Sequence, residues 1–134
     1  MNVLGGGTDI TECLRIAQMI ERHGELFVGR VYTPVEIDYC RSRRMATQHF
    51  AGRWAAKEAV LKAEGCGLGA PLQAFSVVRR GSDGDEWIDE MRYPGSGKIW
   101  QLVDLPCADG HAAALAMPPG MSVVPSEGPP FSWP

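Results

Sequence analysis

FAGRWAAKEAVLKAEGCGLG, residues 50–69, reads as the end of a long helix and its stop. The chain from about Thr47 to Glu64 is rich in alanine, leucine and lysine, all good helix formers, and Gly65 suits the left-handed residue that closes a helix. Upstream, the signals stay helical. YTPVEIDYCRSRR opens with Thr33 as a cap, Pro34 at the first helical position and Glu36 completing a capping box. TECLRIAQMIERHG places Cys13, Ile16, Ala17 and Ile20 at core-facing spacing, with Gly24 as the stop. Before it, NVLGGGTDI reads as a short strand ending in a turn.

Downstream, the signals change. AFSVVRR, KIWQLVDL and HAAALAM read as strands separated by GSDGD, YPGSG and CADG. Helices first and strands later predict an α+β fold, with helices of the first half packed on a mainly antiparallel sheet. The expected domain spans residues 1–117. From 118 to 134, six of 17 residues are proline, which predicts an extended tail with Phe131 and Trp133 as its candidate docking groups.

The 134 residues suit one domain with a real core, and 45% apolar with 22% charged residues is ordinary for a globular chain. No apolar run is long enough to cross a bilayer, and the N-terminus lacks the basic and apolar blocks of a signal peptide. The expectation is a cytoplasmic protein without membrane attachment. Cys13, Cys40, Cys66 and Cys107 are widely spaced and form no C-x-x-C pair, so free thiols are expected. A net charge of −3 argues against a nucleic-acid partner. The charge is uneven: residues 1–64 carry about +1 and residues 65–134 about −4.

Two glycine-rich stretches are decoys. GGG at residues 5–7 lacks dinucleotide-loop spacing. PGSGK at 94–98 has Arg92 where the phosphate-loop pattern needs glycine, and Ile99 where it needs serine or threonine. Other positions have two readings each. Asp9, just before a helix, is a natural cap or a ligand. Glu58 and Lys62 are an ordinary i,i+4 surface pair or half of a site, and the small Ala51 and Ala55 on their stripe leave room for an approaching group. Two carboxylates and a lysine suit a magnesium-bound diphosphate, because magnesium prefers hard oxygen ligands and lysine supplies a point charge for phosphate. Arg15, Met19 and Arg22, opposite the apolar face of the first helix, are a solvated basic face or a dock for an acidic partner.

Taken together, GTDITECLR and WAAKEAVLKA resemble the two motifs of the bacterial holo-acyl-carrier-protein synthases, which are small 4′-phosphopantetheinyl transferases. The first is G-x-D, five residues, then Arg, and places Asp9 and Arg15. The second is an aromatic followed by A-x-K-E-A-x-x-K-A, and places Glu58 and Lys62. FVGRVYTPVEIDYCRSRR resembles the family's linking helices, so the likeness covers about residues 3–70. It implies a phosphopantetheinyl transferase-like fold and transfer of phosphopantetheine from coenzyme A to a serine of an acidic acyl carrier protein. By the same resemblance, Asp9 and Glu58 hold Mg2+, and Glu58 and Lys62 are catalytic. Lys62, Gly65, Arg53 and Arg44 bind coenzyme A. Arg15, Met19, Arg22 and Arg30 meet the carrier, and the protein is a homotrimer.

The last third departs from the family's S-x-S-H pattern. Asp104, Pro106 and Cys107 stand where two serines and a histidine are expected. That implies weak coenzyme A binding, or a substitute basic group from Arg43, Arg44 or Arg53. Two rival readings follow: a catalytically impaired family member that binds or scaffolds carrier protein, and a different magnesium and nucleotide-phosphate enzyme that reuses the first half.

Overall fold

A computed structural model describes residues 6–66, 71–80 and 88–120. Strand β1 (Gly7–Glu12) leads into helices α1 (Cys13–Val31), α2 (Pro34–Arg41) and α3 (Ala46–Glu64). A short 3-10 turn (Leu72–Ala74) precedes β2 (Val78–Arg80), β3 (Ile88–Arg92), β4 (Ile99–Leu105) and β5 (His111–Met117). The strands form one antiparallel sheet in the order β1-β5-β4-β3-β2. The α+β expectation holds, with three helices and one sheet.

Helix α3 organises the interior. Among its residues only Gln48 and Lys62 are exposed. Ala55, Ala56, Ala59, Val60 and Leu61 pack on Trp100, Leu102, Ala114 and Ala116 of the sheet. Phe50 and Ala51 join a second cluster with Ile16, Phe27, Val28, Val31 and Tyr32. A helix buried on nearly every side shows no polar stripe, which is why α3 reads as uniform rather than amphipathic. Its end is as expected: Gly65 adopts φ 73°, and the Cys66 N–H reaches back to the Leu61 carbonyl at 2.9 Å.

The α2 start also matches. Thr33 Oγ1 accepts from the Glu36 N–H while Glu36 Oε1 accepts from the Thr33 N–H, with Pro34 in the first turn. Glu36 then does more than cap. Its carboxylate is fully buried, 2.5 Å from Lys57 Nζ, and it accepts the Val77 N–H at 2.8 Å. Lys57 Nζ also donates to the Val31 carbonyl at 2.6 Å and the Leu72 carbonyl at 2.8 Å. Burial pushes the Lys57 amine below its ordinary value, and Glu36 pulls it back up. This buried pair ties the end of α1, the start of α2, α3 and the approach to β2 at one point.

Several expectations need correction. The first strand is GTDITE, not the apolar run before it; residues 1–5 lie outside the described residues. Asp9 is therefore not a helix cap: it sits in mid-strand opposite Ala114, and Glu12 precedes the helix. Gly24 does not end α1. At φ 51°, ψ −133° it kinks the helix, which resumes through Val31. β3, IDEMR, carries no strand signal of its own in the sequence, and AFSVVRR gives only a 3-10 residue and the three-residue β2. The tail's Phe131 and Trp133 lie outside the described residues.

Candidate functional site

Gly7 brings the two motifs together. A Cβ at Gly7 would lie 2.8 Å from the backbone nitrogen of Ala63 and closer still to the Ala59 carbonyl oxygen, so only glycine allows β1 to press against α3 here. Ala59 and Ala63 on the helix side keep the approach close. Two residues along, on the same face of β1, Asp9 meets the helix.

Asp9 Oδ1 is 2.8 Å from Lys62 Nζ. Asp9 Oδ2 accepts from Thr11 Oγ1, also at 2.8 Å. Lys62 thus pairs with Asp9 across 53 residues of sequence rather than with Glu58 one turn away. Glu58 stands beside them, half-buried. Burial first, and then the neighbouring Asp9 charge, push its carboxyl above the ordinary value, while Lys62 and Arg15 pull it down. The Asp9 charge thus adds to the cost of ionising Glu58, and a cation bound nearby would relieve that cost.

Magnesium fits this donor set only in part. Among the described residues no group of three or more His, Cys, Asp or Glu could hold a metal by itself. Two carboxylates leave most of an octahedral shell to water and phosphate oxygens, which is how magnesium is commonly held in phosphoryl-transfer sites. The residues therefore suit a cation that arrives with a diphosphate.

The other predicted residues lie elsewhere. Ala51 and Ala55 leave no room for a ligand, because both are fully buried in the core. Arg15 stays exposed with its guanidinium 5.9 Å from the centre of the Trp54 ring, and Arg22 and Arg30 are exposed. Met19 is not opposite the apolar face. Three steps of about 100° leave it only about 60° from Ile16, and it packs half-buried on the second core cluster. Gly65 caps α3 about one turn past Lys62 and two turns past Glu58.

Arg44 and Arg53 belong to a cleft of about 940 Å3 at the opposite end of α3. The centres of the two groups are separated along the helix by about ten residues, or ~15 Å. The cleft wall holds Arg43, Arg44, Arg53 and Arg79 together with Asp104 and Cys107. Arg43, Arg53 and Arg79 gather on the Tyr39 ring at 4.4–5.1 Å. Asp89 bridges Arg53 at 3.4 Å and Arg79 at 3.0 Å, while Arg53 Nε is buried with no hydrogen-bond partner among the described residues. Burial, followed by the charges of Arg43 and Arg53, pushes the His49 imidazole below its ordinary value. The candidate substitutes for the missing histidine thus share a wall with Asp104 and Cys107.

Sequence reasoning missed Thr11, Lys57 and Arg79. Thr11 lay two residues from Asp9, a spacing that shares a face only once the segment is known to be a strand. Lys57, within an i,i+4 polar run, carried no signal of burial.

The chain and its fold have counterparts among known proteins. The chain is 56% identical over 66 residues to a holo-[acyl-carrier-protein] synthase of Rhodopirellula baltica, covering 49% of this chain and 53% of that one. It is 56% identical over 79 residues to the corresponding protein of Koribacter versatilis, covering 58% and 63%. The chain thus spans between half and two thirds of the length of these curated relatives. A holo-(acyl-carrier-protein) synthase from Bacillus anthracis, solved in complex with CoA (3′,5′-ADP), superposes with a TM-score of 0.63 at 28% identity over 84% of this chain and 93% of that one. The synthase from Neisseria meningitidis shares the fold, with a TM-score of 0.65 at 24% identity over 85% and 97%. The family model of the 4′-phosphopantetheinyl transferase superfamily matches residues 5–116, and the chain belongs to that superfamily.

Proposed function

We propose that this protein transfers 4′-phosphopantetheine from coenzyme A to a serine of an acyl carrier protein, releasing adenosine 3′,5′-diphosphate, with Mg2+ as cofactor. The observation that carries the reading is the meeting of Asp9, Glu58 and Lys62 across β1 and α3. The serine oxygen attacks the β-phosphorus of coenzyme A, forming a new O–P bond as the bond to the adenosine-side phosphate oxygen breaks. Glu58, its carboxyl raised above the ordinary value by burial and by Asp9, takes the serine proton. Lys62, exposed and flexible, turns from Asp9 to the phosphate and offsets its charge. Asp9 and Glu58 would hold the cation, which when bound would offset the charge of the diphosphate.

Gly65, Arg44 and Arg53 serve coenzyme A, as does Lys62. The ~15 Å between the carboxylate cluster and the arginine cleft suggests that one protomer's cluster faces its neighbour's cleft. A homotrimer provides this. The sheet face turned away from α3 leaves Ile10 60% and Val78 47% exposed, and such apolar surface favours burial against another copy. Light scattering should give about three times 14.6 kDa; a monomer at working concentration would contradict the arrangement. Among the described residues no helix is long and apolar enough to cross a membrane.

An acidic carrier would dock on Arg15, Met19 and Arg22, with Arg30 near. Arg15 also acts on Glu58, so Arg22→Glu is the cleaner test. We expect it to slow carrier association about tenfold at low salt and to flatten the salt dependence. Coenzyme A affinity should stay unchanged; a parallel fall in both would move Arg22 to the nucleotide site.

The test of function is mass spectrometry of an apo carrier protein incubated with coenzyme A, magnesium and this protein. A mass gain of one phosphopantetheine supports the transferase. One observation favours a second reading, an impaired family member that binds carrier protein: the Asp104 carboxylate stands on the arginine-lined wall, where it would repel phosphate. Coenzyme A binding without transfer supports that reading instead.

A further inference from the structure

Asp9 is held by two donors of opposite character. Lys62 is a long side chain, 55% exposed, and free to swing. Thr11 is 4% exposed, sits on the same face of β1 as Asp9, and pairs in register with Ala112 of β5. Its branched side chain is stiff at χ1, and burial removes what freedom remains. A carboxylate accepts only, so the 2.8 Å bond runs from the Thr11 hydroxyl to Asp9 Oδ2. The Asp9 carboxylate rotates easily about χ2, a broad torsion. Thr11 is the fixed donor that stops it.

We infer that Thr11 is a positioning residue for the cation. It pins Oδ2 and thereby aims the remaining lone pairs of Asp9, chiefly those on Oδ1, toward the space shared with Glu58. Without the hydroxyl, the carboxylate turns to satisfy Lys62 alone, and the cation loses a pre-aimed ligand. The inference rests on the reading of Asp9 as a metal ligand. Partners that orient ligating carboxylates commonly contribute about 10- to 100-fold in metal affinity or activity.

The probe is Mn2+, titrated into the full chain in the presence of coenzyme A and followed by the electron paramagnetic resonance signal of the free ion. Thr11→Val keeps the branched shape and removes the donor, and Thr11→Ser restores the donor without the methyl. Should the valine variant fail to fold, Thr11→Ala removes the hydroxyl without adding bulk. Thermal melts establish that each variant is folded. We expect the valine variant to bind Mn2+ about 10- to 100-fold more weakly, and the serine variant to stay within about threefold of the parent. In turnover assays, the magnesium concentration giving half-maximal rate should rise with valine, while the rate at saturating magnesium stays close to the parent's. Unchanged Mn2+ affinity in the valine variant overturns the inference. Equal weakening in the valine and serine variants also overturns it, because the methyl and not the hydroxyl would then matter. Asp9→Asn in the same titration separates the two levels. If it weakens Mn2+ binding and valine does not, Thr11 alone is misassigned; if it has no effect, the metal role of Asp9 falls, and the Thr11 inference with it.

Discussion

Glu36→Ala and Lys57→Ala should each destabilise the protein by about 3–5 kcal/mol, because either change leaves its partner charged and buried with no counter-ion. Neither side chain has any exposure, and each charge is tied to backbone groups of other elements. A domain of this size is stable by only about 5–15 kcal/mol, so the loss removes a large share of the total. Lys57→Met combined with Glu36→Gln removes both charges and keeps an acceptor for one of the two amides, Thr33 or Val77, that the carboxylate serves. This double variant should recover part of the loss, giving a positive coupling in a double-mutant cycle. Urea melts of the four proteins measure it. Single losses below about 1 kcal/mol would mean that the pair is not the anchor described here. The anchor has a functional consequence. With Lys57 fixed toward the core, the next residue, Glu58, is rotated by about 100° and Lys62 follows one turn later, so both reach the side of α3 that faces β1.

Asp9→Ala and Glu58→Ala should reduce phosphopantetheine transfer by at least about 100-fold, since each removes several kcal/mol of charge stabilisation from the reacting diphosphate. For Glu58 the effect on folding should be the reverse of the first case. The Glu58 carboxyl lies above its ordinary value because burial and Asp9 oppose its charge. A carboxylate raised in the folded state stabilises the fold fully only below its unfolded value, and that contribution is lost as pH rises through the folded value. At neutral pH the ionised Glu58 is therefore a cost, and Glu58→Ala should be as stable as the parent or more so. The difference should vanish as the pH is lowered into the carboxylate range. Such a trade of stability for activity is expected of a functional group and not of a surface ion pair. Magnesium-dependent turnover retained in both variants, or a Glu58→Ala variant that is less stable at neutral pH, would contradict the assignment.

The sequence by itself determined the features whose physics is local. The Thr33–Glu36 capping box, the α3 span with its Gly65 stop, and the β5 run HAAALAM all depend on bonds or alternation within a few residues, and all were found where expected. The α+β class followed from the same signals. The two motifs were legible as motifs, but their geometry was not. GTDITE has too little apolar alternation to declare itself a strand; it is one because β5 pairs along its whole length and because Gly7 lets it press on α3. β3 likewise exists through its pairing with β4 and β2 rather than through its own composition. At Gly24 a glycine that reads as a stop became a kink, since Phe27, Val28 and Val31 could still be buried by continuing the helix. Only the tertiary structure paired Lys62 with Asp9 instead of Glu58, buried Lys57 against Glu36, and set Thr11 on Asp9. Each of those choices joins groups from different elements or depends on a strand's pairing, and the free energy that decides them comes from desolvation and packing that no short window of sequence contains.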